Sequence, residues 1–525
     1  MSLTILLGLI WVYKGWIIGL LACFFLLRGR TPIGKPMRIA PDGGGVPPGE
    51  SWFIESSPDD GTLVHSCSFV EFDGRGDYVD FKQHEHAWRT VRCLAQNQPL
   101  VLVMYCHGWK NNSQSSDVVK FIDFLGRLAS TSAVAQSKYR VHGVYMGWRG
   151  NLYPPHIEMG GQTDAYARTK KRFGGSVVSS KWSRRFAWTA RLQENLSYWS
   201  RRRAAEHKVS GVPMARTIYT CASLVKSIDK NREHGIGELP SSRVIVMGHS
   251  FGALMLERAL NATCLDPLMD QWSWFSRTHG KQTSGSAHLD PMPLDFVIFI
   301  NSAAPSVYAK AMRDFLKAHQ SALVHADSAS AFAPVFVSIT SSADWATRYA
   351  HPAANVLSRF YPSLRHKYTD LIKITEPCRV NQSWFYRRTP GHQPLLVDHW
   401  LTESEAETKP PDGHPAVLEA NLQTNEPLEF WAHISAANGS VRRWKLTLRT
   451  AKVDRRWANK FGCLEPSRCS YWFIRCDKRI IRDHNDIWSD TAMEVYAALY
   501  RLVDWSRSPG NRRSNEILRN YWNGI

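Results

Sequence analysis

Six short apolar runs, most of them rich in Val and Ile, punctuate the chain: Leu100 to Tyr105 (LVLVMY), Val141 to Met146 (VHGVYM), Arg243 to Met247 (RVIVM), Phe296 to Ile300 (FVIFI), Val335 to Thr340 (VFVSIT) and Tyr471 to Ile474 (YWFI). They do not alternate apolar with polar residues, so both faces of each run need cover, and the segments between them carry helical spacing. That combination predicts an α/β fold whose mostly parallel central sheet is flanked by helices. Upstream, CSFVEF and DYVDF surround Asp73-Gly74-Arg75-Gly76 and read as a hairpin. With 525 residues, 44% of them hydrophobic, the chain can bury a large core, which excludes a disordered tail or a small stapled module. Its ten cysteines contain no C-x-x-C pair, so neither a zinc-finger spacing nor a disulfide framework is written in them, and a reducing compartment suits them.

The chemistry gathers at the ends of the apolar runs. Gly248-His249-Ser250-Phe251-Gly252 reads G-x-S-x-G, directly after RVIVM and directly before the helix former ALMLERAL. The string alone recurs by chance in about one chain in seven at this length, and its position between strand and helix is what gives it weight. A sharp turn there strains the backbone at Ser250 and exposes its hydroxyl. Gly248 and Gly252 are needed because a Cβ would strike the neighbouring strand and helix. The plain alternative is that Ser250 only caps the helix. A serine hydroxyl needs a base, and the oxyanion it generates needs two donors. LVLVMYC runs into His107-Gly108-Trp109, where Gly108 lets the chain turn so that the Trp109 amide points to the same spot as the Phe251 amide. His107 reads as a hydrogen-bonding residue of that turn, and Cys106 as core.

This succession of strand, His107-Gly108-Trp109, strand and Gly248-His249-Ser250-Phe251-Gly252, followed by Asp-bearing and His-bearing strands, resembles the α/β-hydrolase superfamily, among its esterase and lipase-like serine hydrolases. The likeness spans Leu63 to Trp505, with a poorly matched insertion. It implies a triad in the chain order nucleophile, acid, base, the last two on loops after later strands. VFVSIT leads into Ser341-Ser342-Ala343-Asp344, and YWFIRCDKRIIRD into His484-Asn485-Asp486, so the order is met by Ser250, Asp344 and His484. FVIFI runs into Asn301-Ser302-Ala303 without a carboxylate, which removes the main competitor for the acid; the other reading of Asp344 is a cap on a helix from Trp345. Seven histidines follow Asp344, and only His484 stands between a buried-type strand and a convincing helix, Asp490 to Trp505. His399 is the runner-up, and His351 reads as a surface residue. Asp483 and Asp486 either raise the His484 pKa or bind solvent. No metal is expected: His84-Glu85-His86 cannot converge on one ion. No dinucleotide fingerprint follows the first strand, so no cofactor is expected.

Residues Leu3 to Leu27 are apolar except for Lys14. A central Lys costs roughly 2.5 to 3.5 kcal/mol, and fifteen Leu, Ile, Val and Phe return roughly 0.3 to 0.6 each, so insertion as a single-pass anchor wins. A cleaved signal peptide is the alternative, although no small-residue cleavage site follows. Arg28, Arg30, Lys35 and Arg38 come after the span, which places the body on the cytoplasmic side. Between Arg168 and Lys208 stand twelve Lys or Arg against two Glu, about half of the net +19. Interleaved with Trp182, Phe186, Trp188, Tyr198 and Trp199, this stretch suits a lipid headgroup boundary and equally a buried lid helix, while nucleic acid is the weaker partner.

The expected organisation is an anchor over 1–30, a linker over 31–51, a core over 52–344 with the basic insertion 150–208, a cap-like insertion over 345–468 and the last core segment over 469–525. Within the second insertion Asn438-Gly439 joins LEFWAHIS and VRRWKLTLR as a hairpin. The whole reads as a membrane-anchored serine hydrolase acting on a small-molecule or lipid ester. The other class is an idle hydrolase scaffold that binds anionic surfaces or partners.

Overall fold

The computed structural model describes residues 36–38, 51, 53–56, 65–130, 139–150, 197–233, 240–265, 293–323, 334–357, 383–404, 418–419, 428–433, 441–448 and 470–507. The segment expected to anchor the chain, most of the linker after it and most of the basic run lie outside these residues; Arg38 of that linker is buried, its Nε donating to the Ser113 carbonyl at 2.7 Å. Among the described residues, no helix is long and apolar enough to cross a membrane.

Twelve strands form one sheet: β1 (Phe53–Ser56), β2 (His65–Phe72), β3 (Leu100–Cys106), β4 (Arg140–Trp148), β5 (Arg243–His249), β6 (Phe296–Ile300), β7 (Phe336–Ser341), β8 (His399–Ser404), β9 (Leu418–Glu419), β10 (Leu428–His433), β11 (Val441–Leu448) and β12 (Tyr471–Cys476). Their spatial order is β1-β2-β4-β3-β5-β6-β7-β12-β8-β11-β10-β9. The six apolar runs thus become six neighbouring strands, β4-β3-β5-β6-β7-β12, all paired in parallel. Antiparallel pairing is confined to the two edges, β1 with β2 and β8-β11-β10-β9.

Continuous apolar strands belong in the middle because both faces are covered. Val101, Val103 and Tyr105 of β3 enter one core, while Leu100, Leu102, Met104 and Cys106 enter the other. The first core is closed by α2 (Ser116–Ala129), through Phe121, Leu125 and Leu128, and by α9 (Asp490–Arg507), through Ala492, Val495, Tyr496 and Leu499. Helices α1 (Phe81–Asn97), α4 (Val212–Glu233), α5 (Phe251–Leu265) and α6 (Ser306–Leu323) close the second. In α1 the buried residues His84, Ala87, Val91 and Ala95 recur every three or four positions, as one helix face requires. Short helices α3 (Tyr198–Ala204), α7 (His351–Leu357) and α8 (Ser383–Arg387) complete the described set.

The hairpin expected at Ser66 to Phe81 is reduced to one bridge, Phe72 to Tyr78. Its second run cannot continue as a strand because the Asp80 side chain accepts the Lys82 amide at 2.9 Å and caps α1, which starts at Phe81. In the second insertion β10 and β11 pair antiparallel with His433 opposite Val441, and the Asn438-Gly439 turn between them lies outside the described residues. The strands of that insertion continue the sheet past β12.

Candidate active site

Every group expected at the site sits at the C-terminal ends of central strands, which the parallel order aligns along one edge of the sheet. Ser250 stands between β5 and α5 with φ of 55°, a left-handed backbone that costs a residue with a Cβ about 1–2 kcal/mol. Its neighbours hold it there: the Ser250 amide donates to the Ile300 carbonyl at 3.0 Å, and the Leu254 and Ala303 amides donate to its carbonyl at 3.1 and 3.2 Å. The flanking glycines are required by close approach. A Cβ on Gly252 would lie 2.1 Å from the Cys106 carbonyl oxygen, and one on Gly248 would lie 2.8 Å from the Ala253 nitrogen. Ser250 is only 5% exposed, where its turn was expected to present it openly, because Gly108 of the facing turn lies against its Cβ.

His484 reaches Ser250 from the loop after β12. Its Nε2 stands 2.8 Å from Ser250 Oγ, and its Nδ1 stands 3.0 Å from each oxygen of Asp344. Asp344 is fully buried at the end of the β7 loop. Burial pushes its carboxyl up, yet the His484 charge, the His484 hydrogen bond and two donors from Thr347 together hold it below the usual carboxylate range. Those donors are the Thr347 amide on Oδ1 at 3.1 Å and the Thr347 hydroxyl on Oδ2. The carboxyl thereby caps the turn after Trp345 while binding the imidazole. An ionised Asp344 accepts from Nδ1–H and fixes that tautomer, which leaves the Nε2 lone pair for the serine proton.

Two further residues belong to this corner, their rings 6.1 Å apart. Phe251 opens α5, where the first amides have no intrahelical acceptor, and Trp109 lies in the turn after β3. Among the described residues neither amide donates to a protein acceptor. The Tyr198 ring of α3 packs on both side chains, 5.3 Å from Trp109 and 5.4 Å from Phe251. His107 supports the turn from below: Nε2 accepts the Trp148 amide at 3.0 Å, so Nδ1 carries the proton and donates to the Gly108 carbonyl at 2.9 Å.

No protein-family model, curated protein or solved structure matches the chain.

The remaining predicted residues are placed elsewhere. His399 begins β8, fully buried, bonded to Asp398 at 2.5 Å and stacked 4.6 Å from Trp472. His351, read as a surface residue, is 2% exposed, because it lies with Thr347 and Ala354 on the buried face of the helix after Asp344, whose other face carries the exposed Trp345 and Tyr349. Asp483 accepts the Asn485 and Asp486 amides at 2.8 and 3.1 Å, and Asp486 pairs with Arg482, so both shape the loop that carries His484. His84 packs 5.0 Å from Tyr78 and lies 3.4 Å from the Thr217 hydroxyl. Among the described residues no group of three His, Cys, Asp or Glu is placed to hold a metal ion.

Sequence reasoning missed the groups that hold the His484 loop. Asn301, in the left-handed region at φ of 46°, donates from Nδ2 to the His484 and Asp483 carbonyls at 3.0 and 3.3 Å and accepts the Ser341 amide on Oδ1 at 3.0 Å. One buried amide therefore links the acid loop to the base loop. His249 donates from Nε2 to the same His484 carbonyl at 2.8 Å. Burial, then the nearby His484, pushes its pKa down to about 3, so it stays neutral beside the serine. The only sequence signal was position: Asn301 ends an apolar run, and His249 sits inside the G-x-S-x-G string.

Proposed function

We propose that the chain is a serine hydrolase of the α/β-hydrolase type that cleaves a carboxylic ester. One observation carries the reading: a hydroxyl, an imidazole and a buried carboxylate from three separate loops stand in hydrogen-bonded series, 2.8 Å and 3.0 Å apart. Ser250 attacks the ester carbonyl while His484 takes its proton at Nε2. Asp344 orients His484 and stabilises the imidazolium, and the Trp109 and Phe251 amides receive the oxyanion. His484 then protonates the departing alcohol, leaving an acyl group on Ser250, and water activated by the same imidazole releases the acid. The elbow, the donor pair and the chain order serine, aspartate, histidine support the family assignment. Ester over amide rests on the esterase and lipase-like resemblance, since the same groups serve either bond. Residues Leu3 to Leu27 would tether the enzyme to a membrane as a single span with the body on the cytoplasmic side, the basic stretch at 168–208 adding headgroup contact.

Ser250→Ala is expected to abolish both p-nitrophenyl ester turnover and fluorophosphonate labelling of the full chain. Labelling that persists at another residue would overturn the assignment. His484→Ala should lose several orders of magnitude in rate and His399→Ala should not; the reverse pattern would move the base to β8.

A further inference from the structure

The hydrogen-bonded series does not stop at Asp344. Thr347 Oγ1 donates to Asp344 Oδ2, because an ionised carboxylate can only accept. With its proton spent there, Thr347 Oγ1 is left as the acceptor for His392, whose Nε2 stands 3.1 Å away. The chain of bonds therefore runs from His392 through Thr347, Asp344 and His484 to Ser250. We propose that His392 is a positioning residue of the catalytic pair, acting on Asp344 through the Thr347 hydroxyl. This rests on the serine-hydrolase reading of the site.

The placement of His392 is built into the fold. It ends a 3-10 turn, Pro390–His392, that lies on β7, and a Cβ on Gly391 would stand 2.1 Å from the Thr340 side chain. Only a glycine lets this turn approach so closely. His392 is 9% exposed. Burial pushes its pKa down to about 4, and Arg475, Arg348 and Arg388 outweigh part of the opposite pull of Asp344. His351 faces the same group of residues, with Arg202 beyond it. His392 is thus a neutral Nε2–H donor, contributing direction to the Thr347 hydroxyl and no charge to Asp344.

Without that donor the Thr347 hydroxyl is freer to turn away from Oδ2, and Asp344 is held less firmly. A carboxylate with one donor fewer pairs more strongly with an imidazolium, so the base titrates at higher pH. In the full chain, His392→Leu should lower kcat/KM for a p-nitrophenyl ester by roughly 3- to 10-fold, the worth of one hydrogen bond. The acid limb of its pH profile should move up, and His392→Gln, whose Nε2 amide also donates, should restore both. Thr347→Val should reproduce the His392→Leu change and Thr347→Ser should not. The deciding comparison is the double variant. In the Thr347→Val background, His392→Leu should cost nothing further, whereas losses that multiply would mean that His392 acts through general packing and would overturn the proposal. If His392→Leu does not fold, an unmoved acid limb in Thr347→Val would overturn it equally. A readout free of turnover separates this proposal from the hydrolase reading: the low-field proton resonance of the His484 Nδ1–H bond. Wild-type protein that turns over no ester sinks the hydrolase reading. A resonance that His392→Gln preserves and Thr347→Val shifts supports the link through Thr347, and one that Thr347→Val leaves in place removes it.

Discussion

Asn301→Ala is the most informative single change, because Asn301 spans the loops that carry Asp344 and His484 without touching the side chains of Ser250, Asp344 or His484. The residue is fully buried. Truncation strands the Ser341 amide, whose acceptor was Asn301 Oδ1 at 3.0 Å, and an unsatisfied buried donor costs about 1–3 kcal/mol. The His484 carbonyl keeps its bond from His249, so losing the Asn301 donor there costs less, about 0.5–1 kcal/mol. An alanine at φ of 46° adds about 1 kcal/mol that asparagine largely escapes. Together these predict a loss of about 3–4 kcal/mol in urea unfolding followed by tryptophan fluorescence. Asn301→Gly removes the same hydrogen bonds without the left-handed penalty, at a smaller entropic cost, and should lose about 2–3 kcal/mol. Ester turnover should fall in both, through kcat more than KM, because the His484 loop loses the Asn301 bonds to the His484 and Asp483 carbonyls and keeps the one from His249. Wild-type stability in Asn301→Gly would refute the reasoning, since it would leave backbone strain as the sole role of the side chain.

Burial pushes the Glu257 carboxyl of α5 up to about 8, from 4.5 in the unfolded chain. The unfolded chain therefore releases this proton first, so the stability it contributes is present below pH 4.5 and is lost as pH rises through 8. The loss is on the order of 5 kcal/mol, and Glu257→Gln should flatten the decline; identical slopes in both proteins between pH 5 and 8 would contradict it. Gly252→Ala places a Cβ 2.1 Å from the Cys106 carbonyl oxygen, so either β3 or α5 must move. It should cost about 3 kcal/mol or more, measured as a drop in unfolding midpoint, and a change under 0.5 kcal/mol would mean that the elbow is looser than its geometry requires.

The central sheet was legible because burial on both faces leaves a local signature. LVLVMY and FVIFI are apolar at every position, and such runs have few other homes. The turn at Ser250 was legible for a related reason: a serine on a strained strand-to-helix turn needs small neighbours, and Gly248 and Gly252 record that need within five residues. Asp344 and His484 could be found from chain order and from the strands before them. The HWLTES strand β8 and the turn at Pro390–His392 were not, because neither carries an apolar run or a periodicity.

What the sequence determined by itself was whatever neighbours along the chain enforce: the buried strands, the helix that closes Asp490–Arg507, and the elbow. Tertiary structure alone decided the rest. Asn301 became the clasp between two loops, His351 turned inward, and His392 came to stand behind Thr347 through contacts between residues 40 to 183 positions apart. Hydrogen-bond partnerships of that reach depend on where the strands end in space, and the residue types along the chain carry no record of it.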